Sequence, residues 1–427
     1  MPPFDPPHVQ SPPRTTSSQS DSSQRRTSRR ALLATAGTAT ASALAGCNGV
    51  LGSSEDAATF HDGDWRQYGN GPANANYVGG GTPKPDEHEW LTSAGWPYAP
   101  PVVHDGVAYF ATEERVVAVA IDGGEQWSRQ VEDGTSGTPA LDPDRGRLYV
   151  PTWGVRTTNG SDEEVATVTV LSLTDGTVVD THAVGDRRTY GATVVDGDAY
   201  VRSATACVRL APDGTERWRR PLDTLVSDEY NLGDRTASQV VPAVVDDAVY
   251  VPDRDALVKL DRETGEERWR VPVDTPHAAP VVDDGGVVQT GWQGTVAVDH
   301  SGDVRWRRDL HTIAAAAVAD GDVYVAADDL YELDAETGET NWQTFLGRGG
   351  TATAAPVVTD DAVLVVDSSV LAFRRDAGGT FGPERDLWQS QAAHTSALST
   401  PVVAGGRVLV VGMNPAGLLA LRPGEDG

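Results

Sequence analysis

Short apolar runs alternate with Gly- and Asp-rich turns along most of the chain. The clearest unit consists of Pro242–Val251, Ala256–Asp261 and Glu263–Trp269, and eight copies of it can be aligned. Each copy holds four runs of strand length, and the copies recur about every forty residues. Four short strands repeated at this period are typical of the blades of a propeller.

The copies align on a first strand of small residues and valines. It begins near Pro101, Pro139, Ala192, Pro242, Pro280, Ala316, Pro356 and Pro401. The predicted fourth strand carries a Trp, at Trp127, Trp218, Trp269, Trp306, Trp342 and Trp388. The second copy has Asp180-Thr181-His182 at that place, and the chain ends at Gly427 before the eighth copy reaches its fourth strand.

The missing strand has a candidate at the other end of the chain. Glu89-Trp90-Leu91 precedes the first copy and has the character of a fourth strand, with Trp90 at the repeated Trp position. Pairing it with the last blade would remove an exposed sheet edge. We therefore predict an all-β, eight-bladed propeller with four-stranded blades, whose last blade is closed by an N-terminal strand. The alternative is that Trp90 belongs to a disordered leader.

The turns before the repeated Trp carry a family resemblance. Leu260–Trp269 and Leu333–Trp342 resemble the tryptophan-docking motif of the PQQ-like (quinoprotein-type) repeat, in which an indole stacks between adjacent blades. The resemblance covers about residues 65–422 and includes both quinoprotein alcohol dehydrogenases and BamB-like lipoproteins. It implies the fold directly, whereas the motif is a packing device and implies no activity.

The resemblance to dehydrogenases implies a calcium-bound quinone, an aspartate base and, in many members, two adjacent cysteines. This chain has only Cys47 and Cys207, and no acidic residue matches a calcium ligand of the family. Its histidines show no metal-ligand spacing, and Cys207 is expected to be a small buried residue. We expect neither PQQ nor calcium and no catalytic residue, with a reduced PQQ-dependent dehydrogenase as the alternative.

The charge is strongly negative, with 34 Lys and Arg against 62 Asp and Glu and a formal net charge of −28. Only Lys84 and Lys259 are lysines. Self-repulsion of this size is relieved by molar salt, so the composition resembles that of halophile proteins, most of all haloarchaeal ones. An acidic protein from a mesophile with a GC-rich genome is the alternative. Nucleic-acid binding is not expected, because it needs a basic face.

The N-terminus has the features of an export signal. Arg29 and Arg30 form a twin-arginine pair, an apolar stretch follows, and Leu44-Ala45-Gly46-Cys47 matches a lipobox whose Cys is lipidated after cleavage. We predict a signal peptide at 1–46, a flexible tether at 47–64 and the propeller at 65–424. The expected location is the outer face of the cytoplasmic membrane, reached by the Tat route and held by the lipid anchor alone.

A candidate binding face follows from strand counting, because connections between blades share one face with the loops between second and third strands. The two longest insertions, Thr152–Glu164 and Asp223–Gln239, lie there. Aromatic residues and Arg are typical of interfaces. The candidates are Trp96, Trp153, Tyr190, Tyr230, Arg235 and Trp292, with Arg187 and Arg188 nearby. Alternatively, these aromatic residues pack the mouth of the ring. Asn159, in an Asn-Gly-Ser sequon, is a possible glycosylation site.

Together these features favour a noncatalytic, lipid-anchored, extracytoplasmic propeller that acts as a scaffold or binding protein for an unidentified protein partner. A surface lipoprotein that binds glycans or peptides is a further alternative. The fold alone does not decide between these functions.

Overall fold

The structure is a computed structural model. It describes residues 63–95, 99–131, 134–158, 161–225, 239–274, 276–346, 354–366, 369–375, 385–390, 399–413 and 416–423. Within these ranges, the helices are two 3-10 turns, Tyr68–Asn70 and Pro143–Arg145, and none is long and apolar enough to cross a membrane.

Eight antiparallel sheets form the blades of a propeller, which confirms the predicted fold. The strand β1 (Glu87–Thr92) precedes the first blade in the chain. Blade 1 contains β2 (Val102–His104), β3 (Val107–Ala111), β4 (Arg115–Ala120) and β5 (Glu125–Gln130). Blade 2 contains β6 (Gly134–Thr135), β7 (Ala140–Asp142), β8 (Arg147–Thr158), β9 (Ser161–Ser172) and β10 (Val178–Asp186).

The next three blades each contain four strands. Blade 3 contains β11 (Thr189–Val195), β12 (Asp198–Ser203), β13 (Ala206–Leu210) and β14 (Glu216–Pro221). Blade 4 contains β15 (Ala243–Val245), β16 (Ala248–Asp253), β17 (Ala256–Asp261) and β18 (Glu267–Pro272). Blade 5 contains β19 (Val281–Asp283), β20 (Gly286–Gly291), β21 (Gly294–Val298) and β22 (Val304–Arg308).

The last three blades close the ring. Blade 6 contains β23 (Ala317–Ala319), β24 (Asp322–Ala326), β25 (Asp329–Asp334) and β26 (Thr340–Phe345). Blade 7 contains β27 (Val357–Val358), β28 (Ala362–Val366), β29 (Val370–Arg374) and β30 (Asp386–Gln389). Blade 8 contains β31 (Val402–Ala404), β32 (Arg407–Met413) and β33 (Ala416–Arg422), with β1 as its fourth strand. The predicted closure by an N-terminal strand is therefore confirmed.

The strand directions define two ends of the ring. The turns between first and second strands and between third and fourth strands lie at one end, which we call the turn end. The connections between blades and the loops between second and third strands lie at the other, which we call the loop end. The apolar residues of the inner three strands are buried between neighbouring blades, whereas the fourth strands alternate exposed and partly buried residues.

The repeated tryptophans dock on the next blade, as the motif predicts. The Trp218 indole Nε1–H donates to the carbonyl of Arg262, 2.9 Å away, and its ring lies over Gly265. Gly265 has φ +71°, and a Cβ there would lie 2.7 Å from the indole, so the turn needs glycine. Equivalent pairs are Trp127 with Leu173 and Gly176, Trp269 with His300 and Gly302, and Trp306 with Ala335 and Gly338.

The prediction that Trp90 occupies this docking position in blade 8 was wrong. Glu89, and not Trp90, pairs with Ala420, which is the blade 8 counterpart of Ala118, the residue opposite Trp127. A shift of one residue moves a side chain to the other face of a sheet. Trp90 therefore points to the face opposite to that of the docked indoles.

Blade 8 has a local reason for this register. Arg422 on β33 forms ion pairs with Glu87, at 3.1 Å, and with Glu89, at 3.7 Å. On the opposite face the Trp90 ring lies against Gly412 of the same blade, in space that any side chain at position 412 would fill.

Candidate functional site

The N-terminal residues 63–82, which we call the strap, run around the inside of the ring. In chain order they contact the first strand of one blade after another. Trp65 exchanges two backbone hydrogen bonds with Val103 of blade 1, at 2.7 and 2.8 Å. The acceptors in the strap for the next five blades are Arg66 O for Leu141, Gln67 Oε1 for Val194, Pro72 O for Val244, Ala73 O for Val282 and Ala75 O for Val318.

The contacts of the strap around the ring end at blades 7 and 8. The Val358 N–H donates to Asn76 O and the Val358 carbonyl accepts from the Val78 N–H, both at 2.8 Å. At the other end of the strap Gly63 packs against Gly405, in the turn of blade 8. The first strands would otherwise present unpaired N–H groups to the channel, and the strap satisfies one in each of blades 1 to 7.

Asparagine allows the strap to follow this tight path. Asn70, Asn74 and Asn76 have φ values of 59°, 56° and 52°, a left-handed conformation that Asn tolerates better than most residues. The Asn74 amide also joins two blades, because its Nδ2 donates to the carbonyls of Val241 and Pro280, each 3.1 Å away.

Asp64 fixes the strap where it enters the ring at the turn end. Its carboxylate accepts from Arg66 Nε at 2.8 Å and from the Asp105 N–H at 3.0 Å, and lies 2.7 Å from His104 Nδ1. Burial alone would raise the pKa of Asp64, but the hydrogen bonds from His104, Arg66 and Asp105 outweigh it and hold the pKa below its usual value.

Two aromatic residues of the strap are buried inside the ring. Trp65 and Tyr68 are fully buried, and burial raises the pKa of the Tyr68 hydroxyl. That hydroxyl lies 3.5 Å from Gln239 Oε1, which also accepts from Thr400 Oγ1 at 3.3 Å. The groups that meet here are uncharged amides and hydroxyls.

These residues do not fit a calcium-bound quinone at the axis. Calcium prefers several carboxylate and carbonyl oxygens around one point. In the described part of the chain no three His, Cys, Asp or Glu side chains come together as a metal site would require. Trp65 and Tyr68 are fully buried among the described residues inside the ring, which is the arrangement of packing residues.

Trp153 is presented at the loop end by the longest hairpin in the described part of the chain. The strands β8 and β9 are each 12 residues long, about twice the length of their counterparts. The Trp153 indole lies over the backbone of Gly134, where a Cβ would be 2.8 Å from its Nε1. The ring is nevertheless 39% exposed, and Val155 beside it is also exposed.

Trp292 lies at the loop end of blade 5, in the turn between β20 and β21, and is 42% exposed. Its ring and the His277 imidazole form a T-shaped pair, with centroids 6.1 Å apart and an interplanar angle of 73°. His277 is buried, and this burial lowers its pKa to about 4. The imidazole is therefore neutral near pH 7 and acts as a polar support for the indole.

Tyr190, which was predicted to lie on the binding face, is buried. Its side chain has no exposed surface, and the Arg202 guanidinium lies 5.5 Å from the centre of its ring. The reason is that β11 begins at Thr189, three residues before the predicted start at Ala192, so Tyr190 belongs to a buried strand and not to a loop. Tyr190 cannot offer its ring to a partner in this fold. Arg187 is exposed beside β10.

The remaining candidates fall outside the described residues. They are Trp96, Tyr230 and Arg235 of the predicted face, the sequon residue Asn159, and the export and anchor residues Arg29, Arg30 and Cys47.

Phe345 is an exposed aromatic residue that the sequence analysis did not single out. It ends the fourth strand of blade 6 at the loop end and is 75% exposed. The repeat contained the signal, because the aligned position holds Gln130, Pro221, Pro272 and Asp309 in other copies. Phe345 lies one blade from Trp292, whereas Trp153 lies three blades from Trp292, so these residues share an end but not one continuous patch.

Cys207 is confirmed as a buried structural residue. It lies on β13 with no exposed surface, and burial raises its pKa to about 12. A thiol in this state is a poor nucleophile.

The geometry defines an eight-bladed propeller of the PQQ-like type, with docked indoles between blades and exposed aromatic residues at one end. The sequence model described as outer membrane protein assembly factor BamB matches residues 200–312 and 292–425. Because these matches span more than half of the chain, the protein belongs to this family. No curated protein sequence matches significantly.

Solved structures extend the likeness of fold to most of the chain. BamB from Moraxella catarrhalis is 14% identical with a TM-score of 0.59, over 80% of this chain and 97% of that one. Quinohemoprotein alcohol dehydrogenase from Comamonas testosteroni is 12% identical with a TM-score of 0.60, over 82% and 76%. The computationally designed Ika8 protein is 12% identical with a TM-score of 0.57, over 77% and 96%. At such identities these likenesses establish the fold alone.

Proposed function

We propose that this protein is a noncatalytic, lipid-anchored scaffold or binding protein that engages a protein partner through its loop end. The observation that carries the proposal is the contrast between the buried strap and the exposed indoles. The strap is bonded to the first strands and buries Trp65 and Tyr68 inside the ring, while Trp153 and Trp292 remain about two-fifths exposed at one end.

The exposed indoles at the loop end favour a protein as the partner. Exposed indoles held by a rigid scaffold are typical hot spots, since they bury a large area at little cost in side-chain entropy. Both rings are supported from below, Trp153 by Gly134 and Trp292 by His277. The family description names an assembly factor for outer membrane proteins, and a role in assembling other exported proteins is consistent with that description.

The partner surface can be tested by photo-crosslinking in the native host. A crosslinkable amino acid placed at position 153 or 292 is expected to capture the same protein, while one at position 304 is not. Val304 is a matched control, because it is 42% exposed like Trp292 but lies at the turn end of the same blade. Capture of one partner equally from position 304 would contradict the assignment to the loop end.

Export and anchoring are proposed from Arg29, Arg30 and Cys47. Replacing both arginines by lysine is expected to leave the protein inside the cell. Cys47→Ser is expected to leave an unprocessed or released protein without a lipid adduct. Mass spectrometry of the membrane-bound protein checks this directly, and an unmodified Cys47 in protein that remains membrane-bound would refute lipid anchoring.

Two further functions remain open to test. The likeness to a quinohemoprotein alcohol dehydrogenase favours a reduced PQQ-dependent enzyme as the second candidate. Addition of PQQ and calcium followed by a dye-linked alcohol or sugar oxidation assay is expected to give no turnover, and saturable PQQ-dependent turnover would replace the scaffold proposal. A glycan- or peptide-binding lipoprotein would instead capture its ligand in a pull-down that loses binding on Trp292→Ala.

A further inference from the structure

We infer that the loop end of blades 5 and 6 is a docking surface for a protein segment in which Arg lies beside apolar side chains. The surface, which we call the blade 5–6 surface, consists of Trp292, Asp309, His311, Asp328, Asp329 and Phe345. The inference rests on the proposed function in taking the partner to be a protein. It adds the place of contact and the chemistry that the partner must offer.

Phe345 has a carboxylate as its cross-strand neighbour. In the pairing of β25 with β26, Phe345 lies directly opposite Asp329, so the two side chains share one face of the blade. Gln343, two residues before Phe345, donates from Nε2 to Asp329 Oδ2 at 2.7 Å. The Tyr331 hydroxyl donates to Asp328 Oδ1 at 3.1 Å. Neighbouring side chains therefore hold both carboxylates in place beside an exposed ring.

The connection between blades 5 and 6 extends this group towards Trp292. The Thr312 N–H donates to the carbonyl of Gly291, the residue before Trp292, at 3.2 Å. Asp309 and His311 are both exposed in this connection, with Asp309 Oδ1 2.6 Å from His311 Nε2. Exposed aromatic and acidic side chains thus continue from one blade to the next.

The carboxylates of the blade 5–6 surface are not neutralised by basic side chains. In the described part of the chain, none of the three forms an ion pair with Arg or Lys. At the turn end of blade 6, by contrast, Asp320 pairs with Arg375 at 2.8 Å. Burial, with the hydrogen bond to Asp328 and the charges of Asp328 and Asp329 as further causes, raises the pKa of Tyr331 to about 12. The surface is therefore both apolar and negatively charged.

This combination favours an Arg-bearing segment over other ligands. Nucleic acids and anionic lipids carry the same sign of charge as the surface and are repelled by it. A guanidinium can stack on an aromatic ring and donate two hydrogen bonds to a carboxylate, so one Arg can use Phe345 and Asp329 together. Apolar side chains of the same segment can cover the Trp292 indole. A neutral glycan can stack on the rings but leaves the negative charge unpaired.

The requirement for a cation is tested with the full chain and a fluorescent synthetic peptide in which Arg alternates with Leu. The control peptide has citrulline in place of every Arg, which keeps the planar side chain and removes its charge. Molar KCl screens the general attraction between an acidic protein and a cationic peptide. We expect the citrulline peptide to bind at least about tenfold more weakly. Equal affinities would overturn the inference.

The place of binding is tested by removing equal charge from the two ends of the ring. Asp328→Asn combined with Asp329→Asn is compared with Asp284→Asn combined with Asp303→Asn, which changes two exposed carboxylates at the turn end of blade 5. The loop-end pair is expected to weaken binding of the Arg peptide at least about fivefold, and the turn-end pair less than about twofold. Equal weakening would show attraction to net charge alone and would overturn the inference.

The apolar part of the surface has its own matched variants. Phe345→Ala is expected to weaken binding of the Arg peptide at least about fivefold, whereas Val304→Ala, at an exposed apolar residue of the turn end, should leave it within about twofold. Chitohexaose is the probe for a glycan. If chitohexaose binds, loses binding in Phe345→Ala, and the Arg peptide does not bind, the surface belongs to glycans and the inference falls.

Crosslinking in the host separates the failure of this inference from that of the proposed function. A crosslinkable amino acid at position 345 is expected to capture the same protein as one at position 292, through a segment that mass spectrometry shows to contain Arg. Capture from position 292 but not 345, or through a segment without Arg, would overturn the inference and leave the proposed function intact. If positions 153 and 292 capture no protein, the proposed function falls, even where the Arg peptide binds the blade 5–6 surface.

Discussion

The two ends of the ring are built from the same eight repeats but differ in how much of the chain holds them in place. At the turn end the strap bonds to the first strands of blades 1 to 7, and Asp64 ties its beginning to blade 1. At the loop end, exposed aromatic residues stand on supports of one or two residues. The difference shows that one repeat can support a hydrogen-bonded base at one end and an exposed aromatic surface at the other.

Substitutions in the strap should have the largest effect on the free energy of unfolding. We expect Tyr68→Ala to lower the free energy of unfolding by about 3–5 kcal/mol, because it removes a fully buried aromatic ring from the axis. Phe345→Ala is the matched control at the loop end, with a change within about 0.5 kcal/mol. Chemical denaturation measures both. Similar losses in the two variants would show that the ends are equally constrained.

The ion-paired start of the strap should have the next largest effect. We expect Asp64→Asn to cost about 1–2 kcal/mol at pH 7, through weaker hydrogen bonds with Arg66 and His104. The depressed pKa means that the carboxylate stabilises the fold above its unfolded pKa and loses this contribution as the pH falls through its folded pKa. The stability gap between the two proteins should therefore begin to narrow as the pH falls below the unfolded pKa, about 4, and should close only below the lower folded pKa. A gap that does not narrow on acidification would contradict this account.

Asp322, also at the turn end, should contribute to stability with the opposite pH dependence to that of Asp64. Burial, with repulsion from Glu332 as a smaller cause, raises its pKa to about 6. A raised pKa gives stability that is present below the unfolded pKa, near 4, and is lost as the pH rises through about 6. We expect Asp322→Asn to stabilise the fold by about 1 kcal/mol at pH 8, reduced for partial exposure, and by almost nothing at pH 4. Destabilisation at pH 8 would show that the hydrogen bond from Asn341 outweighs burial.

The loop-end tryptophans should have the smallest effect on stability. We expect Trp153→Ala combined with Trp292→Ala to change the free energy of unfolding by less than about 1 kcal/mol, since both rings are substantially exposed. Partner capture should be lost in the same variant. Thermal denaturation beside the crosslinking assay separates the two readouts, and unfolding of the double variant would reassign the indoles to packing.

The ring, the docked indoles and the closing strand could be predicted because they follow from a repeated pattern with a known physical meaning. The strap could not, because Tyr68 to Asn76 has neither the period of a strand nor that of a helix and bonds residue by residue to distant blades. Trp90 was misplaced because its register depends on Arg422 and Gly412 at the other end of the chain.

Tyr190 and Phe345 show where prediction of the candidate binding face from the sequence fails. A difference of three residues in where β11 begins changes Tyr190 from a loop residue into a buried one. Phe345 could have been found by comparing the copies position by position, because an aromatic residue stands there where other copies have Gln, Pro or Asp.

The order of contacts along the strap also specifies the number of blades. Successive strap residues bond to successive blades, so the strap matches a ring of this size and no other. Repeat proteins commonly gain or lose whole units by duplication and deletion. Here a ninth or a missing blade would displace every later strap contact and separate β1 from β33. The N-terminal segment therefore constrains the evolution of the array, because a change in copy number would require a matching change in a segment that is not itself a repeat.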